Sequence, residues 1–333
     1  VKRPTPARGT AKRDEDGSDP SPLRADASAL VNRLKKNARH IERWARRGGI
    51  EAYRLYDRDI PEFPYAIDRY GDSLHVQLFD GKRPLSRAGI DGHLAALAAA
   101  LGLQPERVIL KHRRRQRGSA QYERLERDGP SFVVSEYGLR FEVNLHRYLD
   151  TGLFLDHRET RRLVRDEASG RTVLNLFAYT GSFSVYAGAG GARRVVTVDM
   201  SRTYQDWTWR NLELNALDDP ARQKMVCGDV LGFIADARRR GERYDLIVLD
   251  PPSFSNSKRM DTTFDIQRDQ VSLLSGVLAL LEPGGSLYFS TNRQGFRLDT
   301  ALGERWPFDD ISARTLTEDF RRRPAHRCWR VRA

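Results

Sequence analysis

Apolar positions along the chain change their period near residue 150. From Ser28 to Gly48, Leu30, Leu34, Ile41, Trp44 and Ala45 recur at helical spacing while Arg and Lys fill the other face, which predicts an amphipathic helix. Short strand-like runs follow at Ala52–Tyr56, Tyr65–Tyr70 and Leu74–Phe79. Ala88–Leu101 is rich in Ala and Leu and reads as a helix ended by Gly102, and Val108–Lys111 returns to a strand. Phe132–Ser135 and Leu139–Leu145 bracket Glu136-Tyr137-Gly138, a hairpin signal. Residues 29–150 thus predict a small α+β domain.

Beyond Asp150 strands and helices alternate. Strands are expected at Thr172–Phe177, Arg194–Asp199, Lys224–Cys227, Leu246–Asp250 and Ser286–Thr291. Helices are expected between them at Ser182–Ala189, Tyr204–Asn215, Val230–Arg240 and Ile266–Leu281. This rhythm implies right-handed β-α-β units and a parallel, doubly wound α/β sheet of Rossmann-like type over residues 151–333. The last runs, Ile311–Thr317 and Arg327–Arg332, flank Arg321-Arg322-Arg323-Pro324 and read as a C-terminal antiparallel hairpin.

Residues 1–28 mix Pro, Gly, Ser and both charge signs with almost no large apolar side chain, so they cannot repay ordering entropy and predict a disordered linker. The chain begins with Val, as expected for the C-terminal part of a longer polypeptide or for loss of an initiator Met. No uncharged apolar run approaches the roughly 18–20 residues of a membrane span. Two cysteines, Cys227 and Cys328, build neither a disulfide framework nor a cysteine-based zinc site, and fit a reducing, cytoplasmic compartment. No metal site is expected.

With 57 Lys plus Arg against 45 Asp plus Glu the formal charge is +12. Of the basic residues 49 are Arg and 8 Lys, a ratio that a GC-rich genome produces by itself. Location is more informative. Arg107, Lys111, Arg113, Arg114, Arg115, Arg117, Arg124 and Arg127 face only Glu123 and Glu126, giving +6 within 21 residues. Such a cluster is either a solvated face or a phosphate-binding patch that releases counterions from nucleic acid.

In a doubly wound sheet the ligand lies beyond the C-terminal strand ends. The first strand of the second domain runs into Asn175-Leu176-Phe177-Ala178-Tyr179-Thr180-Gly181-Ser182, where Gly181 permits a tight turn and close ligand approach. The second ends in Asp199, placed to accept from both hydroxyls of a ribose, and the third leads to Gly228-Asp229, suited to an adenine amino group. Asp199 and Asp229 could equally cap the next helix. The fourth ends in Asp250-Pro251-Pro252-Ser253-Phe254, with a rigid backbone and an aromatic face on which an extruded base can stack. A dinucleotide enzyme would carry Gly-x-Gly-x-x-Gly after the first strand to meet a pyrophosphate. Its absence points to a phosphate-free nucleoside cofactor, S-adenosylmethionine (SAM).

Long stretches carry a family resemblance: Arg33-Leu34-Lys35-Lys36-Asn37, Tyr53-Arg54-Leu55-Tyr56-Asp57, Tyr148 to Arg158 (YLDTGLFLDHR), Val198 to Tyr204 (VDMSRTY) and Asp250 to Met260 (DPPSFSNSKRM). From Arg33 onward the chain resembles the guanine-N7 methyltransferase half of the bifunctional 23S ribosomal RNA methyltransferases of the RlmKL family. The resemblance implies a class I SAM-dependent methyltransferase whose substrate is 23S ribosomal RNA or a large-subunit assembly intermediate. In that family a linker joins this half to an N-terminal guanine-N2 methyltransferase half. Asp156 and Arg158 are then expected at the methionine end of SAM, although Asp156 could equally be the N-cap of a helix beginning at His157. Asn175, Phe177, Tyr179, Thr180 and Gly181 are expected to line the cofactor, with Asp199 and Met200 at the ribose and Asp229 at the adenine. Asp250, Pro251, Pro252 and Phe254 are expected at the target base, with Asp250 also among the residues that contact the cofactor. Lys258 and Arg259 join Lys111, Arg113, Arg114, Arg115 and Arg117 as RNA contacts.

Three acceptor atoms make different demands. Carbon-5 of cytosine needs a cysteine nucleophile, which related enzymes place just after strand five; here Phe289-Ser290-Thr291-Asn292-Arg293 holds none. An exocyclic amine such as guanine N2 must lose a proton, and its usual motif has an aromatic where Ser253 stands. Guanine N7 needs no base. The residues lean toward N7 over N2, and the resemblance decides for it. A nicotinamide oxidoreductase lacks its glycine loop and hydride-transfer acid. A non-catalytic RNA-binding module explains the arginines but leaves Asp199, Asp229 and the Asp-Pro-Pro element without purpose.

Overall fold

A computed structural model of the protein describes residues 27–81, 84–113, 129–148, 150–255 and 263–333. The expected linker, except for its last residues, and Arg114, Arg115, Arg117, Lys258 and Arg259 lie outside these. No helix among the described residues is long and apolar enough to cross a membrane.

The first part opens with α1 (Ser28–Gly48) and continues through β1 (Ala52–Asp57), β2 (Tyr65–Tyr70), β3 (Ser73–Phe79), α2 (Arg87–Leu101) and β4 (Val108–Arg113). The strands form one sheet in the order β1-β2-β3-β4, antiparallel except for β3 and β4, which α2 joins as a parallel pair. Strand alternation gives the sheet two unlike faces. Leu55, Tyr65, Ile67, Leu74 and Val76 pack with Leu30, Leu34, Ile41 and Leu97 of the helices. The other face is polar, carrying Arg54, Asp68, His75, Gln77, Lys111 and Arg113. Of these, Asp68, His75, Gln77 and Lys111 are nevertheless buried, because this face meets the second part of the molecule.

A hairpin, β5 (Phe132–Glu136) and β6 (Leu139–Val143), turns through Tyr137 and Gly138. Both take positive φ (51° and 82°), the combination a two-residue type I′ turn demands. Its Val134, Phe141 and Val143 pack with Val185, Tyr186 and Leu212, which belong to the second part.

That second part runs α3 (Arg158–Glu167), β7 (Thr172–Leu176), α4 (Ser182–Ala189), β8 (Arg194–Asp199), α5 (Arg202–Glu213), β9 (Gln223–Cys227), α6 (Val230–Arg239) and β10 (Tyr244–Leu249). It continues with the short pair β11 (Phe254–Ser255) and β12 (Phe264–Asp265), then α7 (Ile266–Leu278), β13 (Leu281–Thr291), α8 (Thr300–Arg305), β14 (Asp309–Asp310), α9 (Ser312–Thr315) and β15 (Arg327–Arg332). The main sheet has the order β14-β15-β13-β10-β7-β8-β9, with β13, β10, β7, β8 and β9 parallel. Strand order reverses between β7 and β10, so a crevice opens at their C-terminal ends. The Rossmann-like α/β reading holds.

The C-terminal hairpin does not. Ile311 and Thr315 are both buried at i, i+4 spacing, and the Asp310 carboxylate accepts from the Ser312 amide, so this stretch winds into α9 instead of a strand. β15 pairs antiparallel with β13 over six residues, and only Asp309–Asp310 pairs with its other edge.

One ionic cluster ties the parts together. The Glu136 carboxylate accepts from Arg158 Nε (2.8 Å), Arg161 Nη2 (2.6 Å) and the Tyr186 hydroxyl (2.9 Å). Arg158 also donates to Asp319 (3.1 Å) and to the carbonyl of Ala52 (2.6 Å). All four charged side chains are fully buried. Burial opposes ionisation of Glu136, yet Arg161 and then Arg158 outweigh it and hold the carboxyl below its usual 4.5. Removing one partner strands a charge in low dielectric, so Glu136→Gln should cost about 3–5 kcal/mol at neutral pH. Because the folded pKa is depressed, this contribution is complete above about 4.5 and is lost as pH falls through the folded value. Urea unfolding of both proteins from pH 7 downward should show the difference shrinking only below that point.

Candidate active site

The crevice at the β7/β10 switch point deepens into a cavity of about 890 Å³, near the upper end of the ~300–1,000 Å³ usual for ligand pockets. Its floor comes from the loops after β7, β8 and β10. Its far wall is the polar face of the β1–β4 sheet, including Arg54, Asp68, His75, Gln77 and Arg113. Tyr148 and the stretch from Asp150 to His157, leading into α3, close one side.

The loop after β7 is strained. Phe177 and Tyr179, both bulky, sit at φ of 54° and 52°, a region that costs about 1–3 kcal/mol per non-glycine residue. Both line the cavity, and Asn175 joins them while donating to Ser184 (2.9 Å). Tyr179 turns its hydroxyl to the Gly152 amide (3.0 Å) and its own amide to Asp199 (2.9 Å). Gly181 lies at φ 72°, and a Cβ there would fall 2.2 Å from Thr208 Cγ2. Only glycine fits against α5.

Asp199 sits at the end of β8, where its two oxygens accept from the amides of Tyr179 and Ser201 (2.9 Å each). Burial pushes its carboxyl above the usual range, partly offset by those two amides. Met200 lines the cavity beside it. Asp250 ends β10 with one oxygen on the Ser290 hydroxyl (2.7 Å) and the other 3.3 Å from His157 Nε2. Pro251, Pro252 and Phe254 continue the wall, and Phe254 is 44% exposed.

Asp156 also faces the cavity and accepts from His326 Nδ1 at 3.0 Å. The helix that follows has no side-chain cap, so Asp156 is not an N-cap. Burial opposes its ionisation, but the His157 ring and the hydrogen bond from His326 hold it well below the usual carboxylate range. Burial lowers the pKa of His157 despite the pull of Asp250 and Asp156. Two carboxylates thus share one end of the cavity, and no Lys or Arg pairs with either among the described residues. That end is complementary to a cationic ligand group.

Asp156, His157 and His326 are close enough to suggest a metal site. The two imidazoles, however, stack at 4.3 Å and 17°, so their in-plane lone pairs run side by side and do not converge on one point. His326 spends its nitrogens on Asp156 and on Thr315 (3.2 Å). These residues do not fit an ion.

Five expected site residues lie elsewhere. Arg158 is fully buried, with its donors committed to Glu136, Asp319 and Ala52, and does not reach the cavity. Thr180 donates to the Gly152 carbonyl (2.6 Å), and Gly181 packs on Thr208, so both shape the loop from behind. Asp229 caps α6 by accepting from the Gly232 amide (2.7 Å) and is not on the wall. Lys111 is buried, with its amine on the Tyr148 carbonyl and its pKa lowered to about 8 by burial, so it presents no cation to solvent. Arg113 stands on the cavity wall. The residues that sequence reasoning missed are His157, His326 and the small-domain wall. The wall's signal was the period-2 recurrence of Asp68-x-Tyr70 and His75-x-Gln77 within otherwise apolar strands.

Residues 66–306 match the model of the S-adenosylmethionine-dependent methyltransferase family. A ribosomal RNA large subunit methyltransferase K from Neisseria meningitidis is 50% identical over 311 residues, covering 92% of this chain and 88% of its own length. A ribosomal RNA large subunit methyltransferase K/L from Stutzerimonas stutzeri is 51% identical over 91% of this chain, which spans only 42% of that protein. A solved SAM-dependent methyltransferase from Streptococcus mutans shares the fold, with a TM-score of 0.74 at 24% identity over 94% of this chain and 83% of its own. The chain belongs to the SAM-dependent methyltransferases. Within them it groups with the ribosomal RNA large subunit methyltransferases K and K/L.

SAM fits the cavity in charge and size: paired carboxylates at one end and a half-buried carboxylate acceptor in Asp199. Because hydrogen bonds to a charged acceptor contribute roughly 1.5–3 kcal/mol each, Asp199→Ala should weaken SAM binding on the order of 100-fold by calorimetry. Arg158→Met should lower the melting temperature while its folded fraction binds SAM as the wild type does.

Proposed function

We propose that the protein methylates N7 of a guanine in 23S ribosomal RNA, presented as naked RNA or within a large-subunit assembly intermediate. The substrate class rests on the relatives named for large-subunit ribosomal RNA. The observation that carries the acceptor is the Asp250–Phe254 element beside the switch point, together with a cavity wall on which no cysteine appears among the described residues. Cys328 is fully buried, and burial raises its thiol pKa far above the usual value, so it is no nucleophile. Cys227 hangs at the end of β9, also off the wall.

SAM supplies an activated methyl on a sulfonium. Asp199 takes the ribose hydroxyls, while Asp156 and Asp250 face the cationic methionine end. Pro251 and Pro252 hold the β10 loop rigid, and Phe254 offers its exposed ring to an extruded base. Ser253 turns its hydroxyl to Asn292 (2.6 Å), so no aromatic ring follows the two prolines where enzymes acting on exocyclic amines have one. Guanine N7 carries a free lone pair and loses no proton, so the residues' task is to position the base and exclude water. No acid or base is assigned. The relation to K/L proteins supports a further reading, that this chain is linked to a guanine-N2 methyltransferase half in a longer polypeptide.

Incubation with undermodified ribosomal RNA, digestion and chromatography against standards should yield 7-methylguanosine. N2-methylguanosine or 5-methylcytidine would overturn the reading. The double variant Cys227→Ser, Cys328→Ser should keep wild-type kcat/KM once its folding is confirmed, since neither thiol takes part.

A further inference from the structure

Across the small domain's sheet, each strand contributes one side chain to a single hydrogen-bonded ladder. Arg54 on β1 grips Asp68 on β2 with two bonds, Nε to Oδ1 (2.7 Å) and Nη2 to Oδ2 (3.0 Å). Gln77 on β3 donates its amide nitrogen to the same Asp68 (3.3 Å) and accepts from Arg113 Nε on β4 through its amide oxygen (2.7 Å). Asp150, in the segment that enters the second domain, accepts from Arg113 Nη2 (2.8 Å).

The order of these bonds is dictated by chemistry. A carboxylate only accepts, so Asp68 fixes which end of the Gln77 amide faces it. The amide oxygen is thereby left toward β4, where it fixes the guanidinium of Arg113. Two of that guanidinium's three nitrogens are committed, and Nη1 has no partner among the described residues. The Arg113 side chain is 34% exposed and lines the same cavity as Phe254 and Asp250. A preset, donor-only edge therefore faces the space across from the cofactor residues.

We propose that Arg113 is the specificity residue of the reaction and donates to O6 of the target guanine, held in place by Gln77 and Asp150. This rests on the guanine-N7 reading. O6 lies beside N7 on the same edge of the base, so a donor there orients N7 without occupying it. Adenine presents an amino donor at that position and meets a donor. Arginine has no acceptor form, so the clash cannot be relieved by a change of tautomer. Base contacts of this kind discriminate by roughly 1–3 kcal/mol, or about 5- to 150-fold.

The test uses an RNA carrying the mapped target as guanine or as 2-aminopurine, which keeps N7 and lacks O6. Wild type should prefer guanine in kcat/KM by on the order of 10–100-fold. Arg113→Met should fall on guanine to the level of 2-aminopurine, lose nothing further on 2-aminopurine, and bind SAM unchanged. Gln77→Met, which frees the guanidinium without removing it, should lose part of the preference and decides the matter if Arg113→Met does not fold. Full preference in the folded variants overturns the proposal. So does an equal loss on both bases with a shallower salt dependence, which assigns Arg113 to a phosphate. A wild-type product other than 7-methylguanosine sinks the functional reading and the O6 contact together. Wild-type 7-methylguanosine with unaltered selectivity in the variants sinks the Arg113 assignment alone.

Discussion

The geometry of this protein hangs on a carboxylate with no access to water. Glu136, at the tip of the β5–β6 hairpin, is the common acceptor of two arginines from the first turns of α3, and one of them reaches on to Asp319 and to the backbone of β1. Four charges sum to zero inside the molecule, so none can be withdrawn alone. The consequence is positional. Asp156 and His157 stand directly before α3, and the orientation of α3 sets where they meet the cavity. Asp319 also ties down the C-terminal turn that delivers His326 to Asp156. A structural salt bridge thus places Asp156 and His157 at the acidic end of the cavity without touching it.

The same economy of charge runs through the cavity. Asp250 and Asp156 lean on imidazoles, Asp250 on His157 and Asp156 chiefly on His326, and burial keeps His157 from holding a proton readily, so this end of the cavity favours a cationic partner. Opposite them, Arg54, Asp68, Gln77 and Arg113 neutralise one another in series until a single guanidinium edge is left over. One wall suits a cationic cofactor and the other an electron-rich acceptor. Because the two walls come from different sheets, and Glu136 and its arginines fix one sheet against the other, their separation is set by the core and not by loops.

Sequence reading recovered the longer strands of both large sheets and most of the helices between them, because apolar periodicity and the Gly and Pro punctuation are local properties; it offered nothing for β11, β12, β14 or α8. It failed at Ile311–Thr317, where i, i+4 burial and the hydrogen bond from the Ser312 amide to the Asp310 carboxylate outweighed the strand-like run. That Asp199 and Asp250 line the cavity was legible because topology alone sends the strand ends to the switch point. Arg158 was misread for an equally physical reason. In a motif next to the cofactor loop an arginine suggests a ligand, and nothing in the sequence reveals that Glu136, 22 residues earlier, faces it. Asp229 shows the converse, with the plainer alternative of a helix cap the one the structure displays. The polar wall escaped notice because its members are spread over four strands and converge only once those strands are paired.

That convergence bears on how a widely shared sheet acquires selectivity. The β7–β10 crevice with an acidic residue at the end of β8 is common to SAM-dependent sheets of this type and carries no information about which base is methylated. On the proposed reading the Asp-Pro-Pro element presents the nucleophile but reads no base edge, since prolines lack the N–H and Phe254 offers only a face. Discrimination has to come from directional donors or acceptors across the cavity, and among the described residues the β1–β4 sheet supplies them in a fixed array. Burying a polar sheet face against another domain costs desolvation that apolar side chains would avoid. Mutual hydrogen bonding offsets that cost for Arg54, Asp68 and Gln77. Among the described residues the His75 ring nitrogens and one edge of Arg113 are left without a partner, and on the proposed reading the Arg113 edge is the part a substrate completes.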